Sequence, residues 1–290
     1  MGMKVRTLVP HGYCLGVNSA LTLALKAKKD HPDQDVYLLG LLVHNEEAMD
    51  FLVSHGLIPI DERKTPLLDA ILGMKRGDVV VFSAHGHPEA YDDLAKEKGL
   101  VVYDATCRYV KENLECGLVA PTPVLYIGVE GHLESEAFLA NCPEATFYDV
   151  KSRRSDLIGL RGKTPTPTII TQTTLSSLEV EDALDEIRAI FPHAVLTKER
   201  CHSTSLRQKA IQDLPSGVDA LIVLGSSRSN NSVKLAELGK AKGIDTYLCL
   251  GLEDVMKLNL ENKKEVALSS GASTSEATYQ AVLTYLCSQA

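Results

Sequence analysis

Along the chain, short near-continuous apolar runs alternate with longer stretches in which apolar residues recur every third or fourth position. KVRTLV is followed by VNSALTLALKAKK, DVVVFS by EAYDDLAKEK, and PVLYIG by ESEAFLA. TPTII then LSSLEVEDALDEIRAI, VDALIVLG then VKLAELGKAKG, and EVALSS then SEATYQAVLTYL carry the series to the C-terminus. An apolar run without polar alternation is a strand covered on both faces, and the intervening amphipathic stretches supply the covering helices. The pattern predicts a parallel α/β fold.

Composition narrows the class. The chain has 290 residues, 44% hydrophobic and 23% charged, which excludes disordered, collagenous and coiled-coil readings and allows a sizeable core. No apolar run approaches the ~20 residues of a membrane helix, so no membrane partner is expected. The start, MGMKVRTLVPHG, lacks the apolar segment and cleavage site of a signal peptide, and a cytoplasmic location is expected. With 30 basic against 38 acidic residues and a net charge of −8, a nucleic-acid partner is not expected either.

The seven cysteines include no Cys-x-x-Cys pair and suggest thiols, ligands or core residues rather than disulfides. Cys14 in PHGYCLGV, Cys107 in YDATCRYV and Cys201 in KERCHSTS each precede a helical stretch, at spacings of 93 and 94 residues. A single cysteine is more often a small core residue than a ligand. The shared context sets these three apart and cuts the chain into three α/β modules, 1–105, 106–199 and 200–290. Cys116, Cys142, Cys249 and Cys287 lack that context and are expected to pack.

In open α/β sheets ligands bind beyond the carboxyl ends of the strands. The residues found there are polar and mostly uncharged: His44 after VYLLGLLV, His85 after VVVFSA, His132 after VLYIGVEG, Thr173 after TIITQ, Ser229 and Asn231 after LIVLGSSR, and Ser273 after VALSSGA. Ser and Asn at helix starts are commonly caps. Together with the imidazoles, however, they compose a phosphate or diphosphate cradle. No Walker or Gly-x-Gly-x-x-Gly signature occurs, so a P-loop nucleotide or a dinucleotide is not indicated. Glu134, two residues beyond His132, either supports a helix dipole or carries a proton. Three distant thiolates leave structural zinc, catalytic zinc and iron–sulfur open, but zinc sites usually use locally paired ligands, and the zinc-deaminase signature is incomplete here. With three thiolates, one iron of a [4Fe–4S] cluster stays open to substrate.

The strings PHGYCLGV, VHNE, FSAHG, DATC, TQTTLS, the Cys201 segment, GSSRSNNSVKLAEL and SSGAS, in this order from Pro10 to Ser273, resemble the 4-hydroxy-3-methylbut-2-enyl diphosphate reductase (IspH/LytB) family. The resemblance implies three α/β modules in a pseudo-threefold arrangement around a central [4Fe–4S] cluster. It implies Cys14, Cys107 and Cys201 as cluster ligands and His44, His85 and His132 as substrate-binding histidines. Ser229, Asn230, Asn231 and Ser273 fall at its diphosphate-binding positions, Thr173 beside the substrate hydroxyl, and Glu134 at its proton donor. The implied reaction is reductive dehydroxylation to isopentenyl and dimethylallyl diphosphate, the last step of the non-mevalonate isoprenoid pathway.

No flavin or nicotinamide signature is present, so an external carrier such as ferredoxin or flavodoxin is expected, docking at a local basic patch for which Lys26, Lys28 and Lys29 are candidates. Three departures from the family pattern bear on the pocket. Arg108 stands where Pro is usual after DATC, Ser229-Asn230-Asn231 replaces Ser-Ser-Asn, and Leu133 replaces the Pro between His132 and Glu134, which is expected to loosen the loop holding the acid. A diverged paralogue acting on another allylic or phosphorylated alcohol is the alternative enzyme. A cluster-bearing redox sensor is the alternative outside catalysis.

Overall fold

The computed structural model describes residues 3–197 and 201–289. Its strands are β1 (Lys4–Thr7), β2 (Val36–Leu39), β3 (Leu57–Ile60), β4 (Val79–Phe82), β5 (Val101–Asp104), β6 (Val124–Gly128), β7 (Thr146–Asp149), β8 (Thr168–Thr171), β9 (Val195–Leu196), β10 (Ala220–Leu224), β11 (Asp245–Cys249) and β12 (Glu265–Ser270). The helices between them are α1 (Leu15–Asp30), α2 (Glu46–Ser54), α3 (Leu67–Gly73), α4 (Glu89–Lys98), α5 (Arg108–Leu118), α6 (Leu133–Asn141), α7 (Leu157–Lys163), α8 (Ser177–Ile190), α9 (His202–Gln212), α10 (Asn230–Ala241), α11 (Leu252–Val255) and α12 (Glu276–Ser288).

The strands form three four-stranded sheets, ordered β3-β2-β4-β5, β7-β6-β8-β9 and β1-β12-β10-β11. Every strand pairing within them is parallel. In the first two sheets the spatial order is second, first, third, fourth in chain sequence. The third sheet repeats that order with β11, β10 and β12, and the N-terminal strand β1 takes the fourth place. The repeat suggested by the cysteine spacing is therefore a repeat of topology. The expected 1–105 segment feeds two sheets, because β1 pairs with β12 from Lys4↔Glu265 to Thr7↔Leu268 and not with β2–β5. Glu265 holds this edge, accepting from Arg6 Nε at 2.6 Å and lying 3.3 Å from Lys4 Nζ.

The chain divides into two compact units. One takes the residues up to Asn18, Val43–Phe51 and the chain from His202 onward; the other takes Ser19–Leu42 and Leu52–Cys201. In the first unit, all five residues of β10 are buried. Leu221 and Val223 face Ile211, Leu235 and Leu238, while Ala220, Ile222 and Leu224 face Tyr279, Val282 and Leu286. This two-sided covering explains why the strand reads as an unbroken apolar run. In the second unit, α8 starts at a capping box in which Ser176 Oγ accepts from the Glu179 N–H and the Glu179 carboxylate accepts from the Ser176 N–H. It buries Ala183, Leu184 and Ile187, which join Leu125, Ile127 and Ile169 in one core. Each such aliphatic side chain contributes about 1.5–3 kcal/mol on burial.

Helix α10 lies close on its sheet because Gly239 has no side chain. A Cβ there would stand 2.5 Å from both Leu221 Cδ2 and Thr246 Oγ1. Gly239→Ala should therefore destabilise the protein by about 1–3 kcal/mol despite alanine's better helix propensity. A urea unfolding midpoint equal to or above that of the wild type would contradict this packing.

Candidate functional site

Parallel strands bring all their carboxyl ends to one edge of a sheet, and each sheet places the expected site residues by the same rule. The first strands β2, β6 and β10 are followed by His44, His132 and the Ser229–Asn231 segment. The third strands β4, β8 and β12 are followed by His85, Thr173 and Ser273. The fourth-place strands β5, β9 and β1 are followed by Cys107, Cys201 and Cys14, and each cysteine stands immediately before a helix. The second strands β3, β7 and β11 supply none of these residues. The connections reverse direction between first and third strands, the switch point where open α/β sheets form their binding crevice.

In the unit holding β2–β9, Glu134 occupies the first turn of α6 and is only 2% exposed. Its Oε1 accepts from the Thr173 N–H at 2.8 Å and its Oε2 from the Thr173 hydroxyl at 2.8 Å. Burial pushes the carboxyl up to about 7, against these two hydrogen bonds, which favour the charged form. His132 caps α6, its Nδ1 accepting from the Glu134 N–H at 3.2 Å, so the ring proton sits on Nε2 and points away from the helix. The His85 ring meets the His132 ring edge-on at 5.7 Å between centroids. With Leu133 between them, the His132 cap and the two Thr173 bonds hold the acid. Glu134 also borders a cavity of about 340 Å³ lined by Tyr126, Asn113, Val110 and Ala137.

Two supporting residues here are not evident from sequence. Gln172 is buried, and its Oε1 accepts from the Val129 N–H at 2.9 Å and the Ser135 hydroxyl at 3.1 Å, joining the end of β6 to α6. Asn113, on the helix that begins after Cys107, donates from Nδ2 to the Thr171 carbonyl at 2.9 Å and so steadies the end of β8. Only the long-range partners reveal either role; a buried Gln or Asn has no distinguishing spacing.

In the other unit, Ser229 caps α10, its Oγ accepting from the Ser232 N–H at 3.3 Å. Asn231 and Ser273 are 4% and 6% exposed. Both polar side-chain atoms of Asn231, the hydroxyls of Ser232 and Ser273, and Asn45 Nδ2 are buried without a hydrogen-bond partner. Native proteins seldom leave buried polar atoms unsatisfied, and all of this set but Asn231 Oδ1 can donate a hydrogen bond. Ser232 is fixed by close approach, since a Cβ on Gly271 would collide with its Oγ. The segment bearing His44 is held by Glu47, which accepts from the Ser275 hydroxyl at 3.0 Å and from the Thr278 hydroxyl. Asn230 is half-buried at the first position of α10.

Cys14, Cys107 and Cys201 are half-buried thiols outside any disulfide. Cys14 Sγ accepts from the Val17 N–H at 3.4 Å, at the start of α1. Of the four cysteines expected to pack, Cys142 and Cys249 are buried and burial pushes their thiols up, Cys249 to about 11, Cys116 is half-buried, and Cys287 near the C-terminal end of α12 is exposed and does not pack. Residues 198–200 of the KERCHSTS string lie outside the described residues. Among the described residues, no group of three or more His, Cys, Asp and Glu side chains is gathered tightly enough to hold a single metal ion. Arg108 turns away: its side chain is 68% exposed, pairs with Glu112 at 3.7 Å and lies 4.9 Å from the Tyr109 ring centroid. Within the expected basic patch, Lys26 pairs with Asp30 and Lys28 donates to the Gln34 carbonyl at 2.7 Å. No helix among the described residues is long and apolar enough to cross a membrane.

A family profile described as "LytB protein" matches residues 5–287. The chain is 33% identical over 285 residues to the 4-hydroxy-3-methylbut-2-enyl diphosphate reductase of Malacoplasma penetrans, covering 94% of this chain and 93% of that protein. It is 33% identical over 290 residues to the enzyme of the same name from Geobacillus thermodenitrificans, covering 98% and 90%. Its fold is similar to a solved structure of the E-1-hydroxy-2-methyl-but-2-enyl-4-diphosphate reductase from Plasmodium falciparum, with a TM-score of 0.81, 25% identity and coverage of 98% and 88%. A second solved structure, of an (E)-4-hydroxy-3-methyl-but-2-enyl diphosphate reductase described as the terminal enzyme of the non-mevalonate pathway, gives a TM-score of 0.69 at 25% identity and coverage of 99% of both chains.

The Glu134 carboxyl binds its proton more tightly in the folded chain, about 7 against an ordinary 4.5. Its stabilising contribution is complete below the ordinary value and is lost as pH rises through the folded one. Between about pH 5 and pH 8 the wild type should lose roughly 2–3 kcal/mol of unfolding free energy relative to Glu134→Gln. Urea titrations at the two pH values measure this, and a pH-independent difference between the two proteins would contradict the buried acid.

Proposed function

The chain belongs to the LytB family, and from that premise we propose how its residues remove the hydroxyl group of 4-hydroxy-3-methylbut-2-enyl diphosphate. The activity is that of a 4-hydroxy-3-methylbut-2-enyl diphosphate reductase, an iron–sulfur oxidoreductase acting at the terminal step of the non-mevalonate pathway. The observation that carries the mechanism is the buried Glu134–Thr173 pair at the carboxyl ends of adjacent strands.

We assign Cys14, Cys107 and Cys201 as ligands of a [4Fe–4S] cluster with one iron left open, one thiolate from each of the segments 1–105, 106–199 and 200–290. Their recurrence after each fourth-place strand and before a helix supports the assignment. When bound, the cluster supplies electrons and a Lewis-acidic iron for the substrate hydroxyl.

The rest falls to side chains. The diphosphate is anchored by Ser229, Asn230, Asn231 and Ser273 with the His44, His85 and His132 imidazoles, and the unsatisfied Asn231 Nδ2 and Ser273 hydroxyl are donors that such an anion would satisfy. Near neutrality Glu134 is partly protonated. In the protonated acid the hydrogen bond to Thr173 runs the other way, Glu134 Oε2 donating to Thr173 Oγ1 and the Thr173 hydroxyl turning to the substrate; Glu134 then passes its proton to Thr173 Oγ1 while the Thr173 hydroxyl proton goes to the departing hydroxyl, which leaves as water. With two electrons and a second proton taken up by the allylic carbon, the products are isopentenyl or dimethylallyl diphosphate.

An external one-electron carrier, ferredoxin or flavodoxin, supplies the electrons. With Lys26 and Lys28 engaged internally, Lys29 is the exposed remainder of the basic patch on α1. A redox sensor has no use for a carboxyl held near neutrality beside a hydroxyl, and Arg108 points to solvent, so neither the sensor nor a paralogue altered at Arg108 is favoured.

Glu134→Gln should retain cluster and substrate affinity while turnover falls about 10²–10⁴-fold; wild-type turnover would remove Glu134 from proton delivery. Cys14→Ser should lose most cluster iron after anaerobic reconstitution, whereas Cys142→Ser should keep it. Full iron content in Cys14→Ser would overturn the ligand assignment.

A further inference from the structure

The cavity of about 340 Å³ beside Glu134 lies wholly within the unit that holds β2–β9. Its floor is buried and largely apolar, with Ala137 and Phe138 of α6 and Tyr126 of β6. Its mouth is formed by exposed residues, Glu89 and Asp92 of α4 and Glu115 and Leu118 of α5. Glu134 borders this space, whereas His85, Cys107, His132 and Thr173 do not. The acid therefore has two sides. Its oxygens accept from Thr173, and its side chain also meets a cavity that Thr173 does not share.

Two side chains lining the cavity carry polar atoms that make no hydrogen bond within the protein. Tyr126 is fully buried with its hydroxyl unsatisfied, since the nearby Ser135 hydroxyl donates to Gln172 Oε1 instead. His87 has a side chain only 6% exposed and stacks on Phe82 at 3.6 Å between ring centroids. Its Nε2 pairs with Asp92 at 3.0 Å, which leaves Nδ1 buried and unsatisfied. Buried polar atoms in native proteins are satisfied by protein or by ordered water, and a roomy space bounded by several of them holds water. The mouth is also acidic. Lys111 pairs with Asp104 at 2.5 Å, while Glu89, Asp92 and Glu115 supply negative charge, and a cleft lined by one sign concentrates counter-ions.

Building on the reading of Glu134 as the proton donor, we propose that this cavity holds water and is the route by which Glu134 regains its proton from solvent after each turnover. The Asp92–His87 pair near the mouth and the Tyr126 hydroxyl at the floor are the fixed points of that water path. Once its proton has left through Thr173, Glu134 is a carboxylate, and substrate or product occupies the Thr173 side. A proton arriving from the cavity restores the acid; no bond to carbon changes and no electron moves in this step. An imidazole with one nitrogen on a carboxylate and the other unpaired is suited to take up a proton on one side while releasing one on the other.

The test follows proton uptake by Glu134 in anaerobically reconstituted enzyme with isopentenyl diphosphate bound, so that the Thr173 side is occupied. After a rapid change from about pH 8 to about pH 6, across the Glu134 value of about 7, the infrared band of the protonated carboxyl is followed in time. Its absence from Glu134→Gln identifies the band. Leu114→Trp, which fills the cavity from α5, should slow uptake severalfold and lower kcat, with KM and the rate of a first turnover begun from the protonated acid unchanged. If Leu114→Trp does not fold or load a cluster, Tyr126→Phe decides: it keeps the cavity's shape, removes the hydroxyl and should slow uptake in the same way. Uptake at the wild-type rate in the deciding variant would overturn the proposal, and so would a first turnover slowed as much as uptake, which marks a distorted site. A wild type with no such band, or wild-type turnover in Glu134→Gln, would instead overturn the reading of Glu134 on which the proposal rests.

Discussion

The arrangement depends on one constraint: every sheet is parallel, with its strands in the order second, first, third, fourth. Parallel strands send all their outgoing loops to the same edge, and the reversal between first and third strands leaves a gap there that helices cannot close. Three sheets built to this order give three equivalent sets of loop positions. In this chain they are filled by place: imidazoles or amide and hydroxyl donors after first and third strands, thiols after fourth-place strands. The third sheet shows that place matters more than chain order, because its fourth strand comes from the opposite end of the chain.

Within that frame the chemistry is set by how charge is buried. Glu134 is enclosed, and desolvation raises its proton affinity to near neutrality, where a carboxyl can both give and regain a proton. The Thr173 amide and hydroxyl prevent a larger rise and orient both oxygens. The unit that carries Ser229, Asn231 and Ser273 works in the opposite way: its neutral donors are buried with capacity to spare, which suits an anion arriving from solvent.

Much of this was legible in the sequence. Apolar runs such as VDALIVLG and DVVVFS became central strands buried on both faces, and the residues just beyond them became the site loops. The spacing of Cys14, Cys107 and Cys201 carried the repeat. What was not legible depends on partners distant in sequence. KVRTLV says strand, but only its register with β12 says which sheet, and that moves Cys14 away from β2–β5. Arg108 beside Cys107 reads as a cation near the thiol, yet its own helix offers Glu112 and Tyr109 and turns it to solvent. The pairing of Lys26 with Asp30 and of Lys28 with the Gln34 carbonyl is likewise invisible in the cluster of Lys26, Lys28 and Lys29. Gln172 and Asn113 gain their roles from hydrogen bonds to segments far along the chain, which no local pattern encodes.

The central claim is that this chain reductively removes the hydroxyl of 4-hydroxy-3-methylbut-2-enyl diphosphate. It is tested most directly by anaerobic turnover of that compound with a chemical one-electron donor, using protein whose reconstituted cluster has been verified by its visible spectrum. The account predicts isopentenyl and dimethylallyl diphosphates as products, with one water formed for every two electrons consumed. A fully loaded cluster that accepts electrons and leaves the substrate unchanged would contradict it.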